Sequence, residues 1–329
     1  MNKVMFSVEE ITKKINQGDS LLLAGDEHLL KQLPKGNWIG GTIPYFMSHV
    51  GGLSTQEKIY GTKLPEYVID TSIRVYDEDS IKNVYIDEGE MDFSFIIMPA
   101  GCSLHFSFAL NAHTFEGFAT HPLIGWISGV HLDDLGKIKP LIFDGSSSSF
   151  YENKAVVIHV KIPESHYAEV NIINIFEQGD GDSIIFSEDG FSAKEALING
   201  RNLNFAKYIK ENKIDTRLPL VADYSGAMIN TSFQNVDEKN NKVDFYAPIF
   251  KGFEYKLAQP IEDYISKFIN QIPKDNVENI IFACNCILNY LYSELEGKKT
   301  GEITGPITFG EIAYTLVNQT LAYLTINKL

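Results

Sequence analysis

The stretch Asn279-Ile280-Ile281-Phe282-Ala283-Cys284-Asn285-Cys286-Ile287 decides how this chain is read. An apolar run of strand character, 279–284, ends in two cysteines and passes into residues 287–296, which read as a helix. A strand that turns straight into a helix is a building unit of sheets flanked by helices, and such turns are where these folds place ligands. A thiol at the turn meets unpaired N–H groups and the positive end of the helix dipole, both of which lower its pKa. Cys284 and Cys286 are therefore candidate ligand-contacting or nucleophilic thiols. Free cysteine is also a common small core residue, and no sequence feature supplies a histidine partner.

Downstream, 306–314 and 316–326 read as strands, so the first of them brings Thr308, Gly310 and Glu311 towards the cysteine turn. Upstream, Ser7 with Glu10 forms a capping-box pattern and Gly18 supplies a stop, which predicts a helix over 8–17. A strand at 20–24, a short helix at 26–33 and an apolar run at 38–47 follow. Gly40 and Gly41 interrupt that run, marking a bulge or a close backbone approach. Residues 48–70 are polar and read as a long connection. Strands are expected at 73–76, 93–98, 123–130 and 155–162, with a helix over 104–110 opened by Ser103. The serine run 146–149 reads as an ordered turn.

In the second half, 172–176 and 184–186 read as a hairpin across an acidic turn. Ser192 with Glu195 reads as a second capping box that opens a helix to about residue 213. Strands follow near 218–234, 243–250 and 252–257. Asp223-Tyr224-Ser225-Gly226 reads as a hairpin turn. Pro260 opens a helix to 272. Trp38-Ile39-Gly40-Gly41 and Trp126-Ile127-Ser128-Gly129 are candidates for equivalent strands of a repeated unit.

The chain has 329 residues, a net charge of −15 and only three arginines, Arg74, Arg201 and Arg217. The absence of basic runs argues against a nucleic-acid partner. No stretch approaches the ~18 apolar residues of a membrane span, and residues 1–10 lack the features of a signal peptide. Membrane insertion is not expected, and the cytoplasm is the expected compartment. Three cysteines, Cys102, Cys284 and Cys286, make no disulfide framework. Cys-x-Cys lacks the second ligand pair of a structural zinc site. His105, His113, His121 and His131 match no metal spacing and read as separate polar or core positions. The acidic segment 177–189 lacks the EF-hand order. There is no dinucleotide fingerprint, P-loop or Gly-x-Ser-x-Gly. No metal or cofactor is expected.

Several of these pieces assemble into one pattern. They are the Gly-rich segment Trp38–Pro44, Asp144–Ser149 before Ala155-Val156-Val157-Ile158, Leu218-Pro219-Leu220-Val221, and Gly252. Ile280-Ile281-Phe282-Ala283-Cys284-Asn285 follows, and Gly305-Pro306-Ile307-Thr308-Phe309-Gly310-Glu311-Ile312 closes the pattern. The order resembles the FIST domain pair (F-box and intracellular signal transduction), most strongly in the last block. The resemblance implies a sensory module that binds a small ligand such as an amino acid; with the pattern taking up these residues, a standalone binding protein, a subunit that reports to a separate signalling protein, and an enzyme are the expected alternatives. It also implies that Cys284 and Glu311 neighbour a pocket. Asn285-Cys286-Ile287 is bulkier than the small residues usual in that family's turn.

The expected fold is α+β, with two related halves, 1–165 and 166–329, each a mixed sheet flanked by helices. Two facing sheets with helices outside is one layering; two side-by-side domains with a cleft is the other. The expected site comprises Gly40, Gly41, Thr42, Cys284, Asn285, Thr308, Gly310 and Glu311. There Glu311 would pair with a ligand ammonium, and N–H groups after Cys284 would receive a carboxylate. The leading function is small-ligand binding without catalysis. One alternative is a cysteine-dependent hydrolase or acyl transferase using Cys284 or Cys286. The other is a protein-interaction scaffold, with the final strands pairing with a partner or a second copy.

Overall fold

Ser7 Oγ accepts the Glu10 N–H at 3.3 Å, and the Glu10 carboxylate accepts the Ser7 N–H at 2.9 Å, so the first helix begins where the capping box places it. The computed structural model describes residues 3–87, 89–224, 226–272 and 277–329. Its α-helices among these residues are α1 (Val8–Asn16), α2 (Glu27–Leu30), α3 (Ser103–Asn111), α4 (Phe205–Glu211), α5 (Tyr264–Gln271) and α6 (Ile287–Tyr292).

Three parallel strand pairs, each closed over a helix, organise the main body. Leu21–Gly25 and Trp38–Thr42 are joined through α2 in the first sheet. Phe93–Pro99 and Leu123–Ser128 are joined through α3 in the second. Ile280–Cys286 and Gly305–Thr308 are joined through α6 in the third. Antiparallel strands extend each sheet to six. Each tryptophan tetrapeptide lies on the strand that completes a unit, Trp38 at its start and Trp126 towards its end. Both belong to the first half of the chain.

The fold is α+β. Inward side chains of all three sheets, among them Ile39, Phe95, Trp126, Ile158, Phe282 and Leu324, form one core, joined by Tyr264 and Phe268 of α5. Burial of each such side chain stabilises the fold by about 1.5–3 kcal/mol. Trp126 stacks on Phe282 with centroids 5.4 Å apart, tying the second sheet to the third. The outer face of the second sheet packs Ile96, Met98 and Val157 against Leu104 and Phe108 of α3. The outer face of the first sheet packs Leu21 and Leu23 against Ile11 and Ile15 of α1. Residues 184–257 hold a separate core around Phe186, Phe205, Phe245 and Tyr255.

The position 165/166 falls between the strands Ala155–Lys161 and His166–Ile173, but strands from both sides share sheets. Trp126 pairs with Glu311 in the second sheet, and Met47 with Gly305 in the third.

Several local expectations need correction. Residues 48–70 are not a plain connection: Gly51–Ser54 and Ile59–Lys63 are strands within the third and first sheets. The hairpin of 172–176 with 184–186 does not form. His166–Ile173 pairs with Leu321–Lys328, and Ile184–Ile185 pairs with Glu195–Ile198 and Glu254–Leu257. The helix from Ser192 does not form either: Gly190–Ala193, Glu195–Ile198 and Arg201–Asn204 are strands, and α4 starts only at Phe205. The physical reason is Asn199-Gly200, where both residues have positive φ (47° and 81°) and close a two-residue hairpin between Ile198 and Arg201. Leu220–Tyr224 does pair with Ala227–Thr231 around the turn expected there, whose Ser225 lies outside the described residues. Cys102, one residue before Ser103, caps α3.

Candidate functional site

The parallel register Cys286↔Thr308 sets the cysteine turn beside the segment that carries Gly310 and Glu311. Five of the expected site residues therefore meet. Thr308 Oγ1 lies 3.3 Å from the Asn285 carbonyl, 3.1 Å from the Gly310 carbonyl and 3.5 Å from Glu311 Oε1. Glu311 Oε2 accepts from the Thr320 N–H at 3.2 Å and from the Thr320 hydroxyl at 2.8 Å. Asn285 Oδ1 accepts from the Cys286 N–H at 2.8 Å and from Asn289 Nδ2 at 2.9 Å. The Cys284 thiol donates across the core to the Gly125 carbonyl at 3.3 Å.

This cluster is sealed. Glu311 and Thr308 are 0% exposed, and Cys284 and Cys286 are 1% exposed. Burial pushes the Glu311 carboxyl up to about 8, so at neutral pH the neutral acid prevails. Burial first, and the Glu311 carboxyl second, push both thiols well above their ordinary value. The helix that follows is capped by Cys286, not Cys284, and its first turn is buried. The expected proximity is present, while the geometry is that of a hydrogen-bonded core.

Gly40, Gly41 and Thr42 lie on the first sheet where it meets the second. A Cβ on Gly41 would fall 2.7 Å from Ile97 Cγ2 and 3.1 Å from Trp126 Nε1, so only glycine lets the two sheets approach this closely. Thr42 is buried, with its hydroxyl accepting the Leu141 N–H at 2.9 Å and its carbonyl accepting the Gly129 N–H at 2.7 Å. Trp126, beside Gly41, is the register partner of Glu311, which connects the two groups of expected site residues through one strand.

Sequence reasoning missed Asn289, Asn318, Gln319 and Thr320, which complete the cluster. Asn318 Oδ1 accepts the Ser232 N–H at 3.0 Å, and Gln319 Nε2 donates to the Arg217 carbonyl at 3.1 Å, carrying the polar network into residues 184–257 and their flanks. The polar run Asn318-Gln319-Thr320 between two apolar strands was the available signal. It missed a second cluster as well. His121 does not stand apart: its Nε2 lies 2.7 Å from Ser94 Oγ, Ser94 Oγ lies 2.7 Å from His159 Nδ1, and His159 Nε2 lies 3.1 Å from the Tyr76 hydroxyl. Burial lowers both histidines, His159 to about 3.

Among the described residues, no group of three or more His, Cys, Asp or Glu side chains is placed to hold a metal ion. None of their helices is long and apolar enough to cross a membrane. The open concavity beside the cluster is a groove of about 530 Å³ between the first sheet and the start of the strand Ile280–Cys286. Ala283, next to Cys284, lines it, together with Phe6, Tyr60, Ile281 and Phe282.

Residues 6–327 match the model of a family of unknown function, DUF6976. The chain belongs to that family. No curated protein matches it.

Proposed function

We propose that this DUF6976 member is a small-ligand-binding protein of a sensory or regulatory kind, without catalysis of its own. In this reading it works in the cytoplasm, reports to a separate signalling protein and shares its ancestry with FIST modules, as the block from Ile280 to Ile312 suggests. The ligand lies in the groove beside Ala283 and not among Cys284, Asn285, Thr308 and Glu311. The observation that carries the reading is the groove itself: about 530 Å³ is within the range of small-molecule sites, and its lining mixes aromatic, aliphatic and charged side chains. The buried cluster behind it serves as a rigid backing. A thermal-shift screen against amino acids, carboxylates, short peptides, nucleotides and common metabolites tests this, since a ligand at ~100 times its Kd stabilises the native state by ~2.7 kcal/mol. A dose-dependent shift confined to one chemical class, abolished by Ile281→Trp in the groove, is the expected result. A flat response across the panel would overturn the reading.

The thiol-enzyme alternative has little to support it, because a nucleophilic thiol needs access and a low pKa. Cys284 and Cys286 have neither. In the native protein, iodoacetamide is expected to modify half-buried Cys102 first and the other two roughly a hundredfold more slowly. Labelling of Cys286 as fast as Cys102 would bring the enzyme reading back.

A further inference from the structure

The groove has a charge pattern that the whole chain lacks. Lys3, Lys14 and Lys63 all line it, and among the described residues Glu302 is the acidic side chain that does. The three lysines are ion-paired: Lys3 with Glu10, Lys14 with Asp19 at 3.9 Å, and Lys63 with Asp19 at 2.9 Å and Glu66 at 3.3 Å. None of these partner carboxylates lines the groove. Each ammonium group is therefore already held by a carboxylate outside the lining, and an anion in the groove would share it with that acid. Two of the lysines are also steered by an aromatic ring. Lys3 Nζ and Lys14 Nζ lie 5.5 Å and 5.4 Å from the centroid of Phe6, which places both cations over the apolar floor. That floor continues through Ile11, Ile280 and Phe282.

We propose that the groove takes an anion with an apolar body, an alkyl or aryl carboxylate, with its chain on the Phe6–Ile280–Phe282 floor and its charged head among Lys3, Lys14 and Lys63. This rests on the groove being the ligand site and names the class of ligand. It differs from the amino-acid expectation, because a zwitterion would bring an ammonium against three lysines with Glu302 as its one lining counter-charge.

The experiment is calorimetric titration of the full chain with octanoate, octanol, octylammonium and leucine, at low and high salt. Octanoate is expected to bind with a stoichiometry near one, at least roughly tenfold tighter than octylammonium, with affinity that falls as salt rises. Lys14→Gln with Lys63→Gln, at a half-buried and an exposed position outside the apolar core, is expected to weaken octanoate roughly tenfold and leave octanol unchanged. Ile281→Trp is expected to block both. Equal binding of octanoate and octylammonium, tighter binding of leucine than of octanoate, or an unchanged affinity in the double lysine variant would overturn the anionic class, while block by Ile281→Trp would leave the groove as a site. Indifference of every ligand to Ile281→Trp, or no binding by any of them, would overturn the groove itself and the anionic class with it.

Discussion

The cluster around Glu311 and the cluster around Ser94 are made of similar material and answer protons with opposite sign. Each is a run of hydrogen-bonding side chains sealed under an apolar layer, with Glu311, Ser94 and His159 all 0% exposed. In the first, the group that titrates is an acid whose burial favours the protonated, neutral form. In the second, the groups are bases whose burial favours the deprotonated, neutral form, with His159 lowered further by His121 and Arg74. Both clusters are neutral near pH 6, and the fold loses a different one on each side of that point.

The largest expected effect is the removal of His159. It bridges the Tyr76 hydroxyl and Ser94 Oγ, so His159→Ala removes both of these buried hydrogen bonds and opens a cavity. A loss of about 3–4 kcal/mol is expected in urea denaturation at pH 7.5. A loss under ~1 kcal/mol would mean that the relay contributes nothing and that only Glu311 distinguishes the clusters.

The pH dependence sharpens the comparison. Glu311 is raised from 4.5 to about 8, so its contribution is complete below pH 4.5 and is lost as pH rises towards 8. His159 is lowered from 6.5 to about 3, so its contribution is complete above pH 6.5 and is lost as pH falls towards 3. Glu311→Gln keeps an acceptor for Thr320 and cannot ionise. Relative to the parent it is expected to gain on the order of 2–3 kcal/mol between pH 5 and pH 9. Parallel stability curves for the two proteins across that range would show that the carboxyl does not titrate in the folded state.

The smallest effect concerns Gly41, which packs against Trp126, the register partner of Glu311. Gly41→Ala puts a methyl group 2.7 Å from Ile97 Cγ2, where the first and second sheets meet. A cost of about 1–2 kcal/mol is expected, independent of pH, as a shift of the urea midpoint with unchanged slope. A pH-dependent cost would mean that strain at Gly41 reaches Glu311 through Trp126.

The strand-to-helix turn at Cys286 and the capping box at Ser7 are legible in the sequence because both rest on local chemistry: an apolar run that stops, and a hydroxyl three residues before a glutamate. Residues 190–204 are misread because Ser192 and Glu195 imitate a capping box, while the stronger signal, Asn199-Gly200, lies four residues further on. The strands at 51–54 and 59–63 escape detection because they are rich in Gly, Ser and Thr, and their pairing partners are supplied by distant segments. The proximity of Cys284 and Glu311 is legible, but their burial is not. Burial depends on the second sheet lying over the third, which is long-range packing that no local pattern encodes. His159 hides for the same reason, since one polar residue in Ala155–Lys161 reads as strand alternation until Ser94 is placed opposite it.

In the third sheet, Leu321–Lys328 lies between His166–Ile173 and Ile280–Cys286 and hydrogen-bonds to both. The strand that joins these neighbours is synthesised after either of them. At ~5–20 residues per second, the roughly 150 residues that separate 173 from 321 keep one edge waiting on the order of ten seconds during translation. For roughly the last 35 residues of that interval Ile280–Cys286 also lacks its antiparallel partner, which leaves an apolar edge open to pairing with other chains. Cellular yield of this protein should therefore depend on chaperone supply and translation speed more than its final stability would suggest.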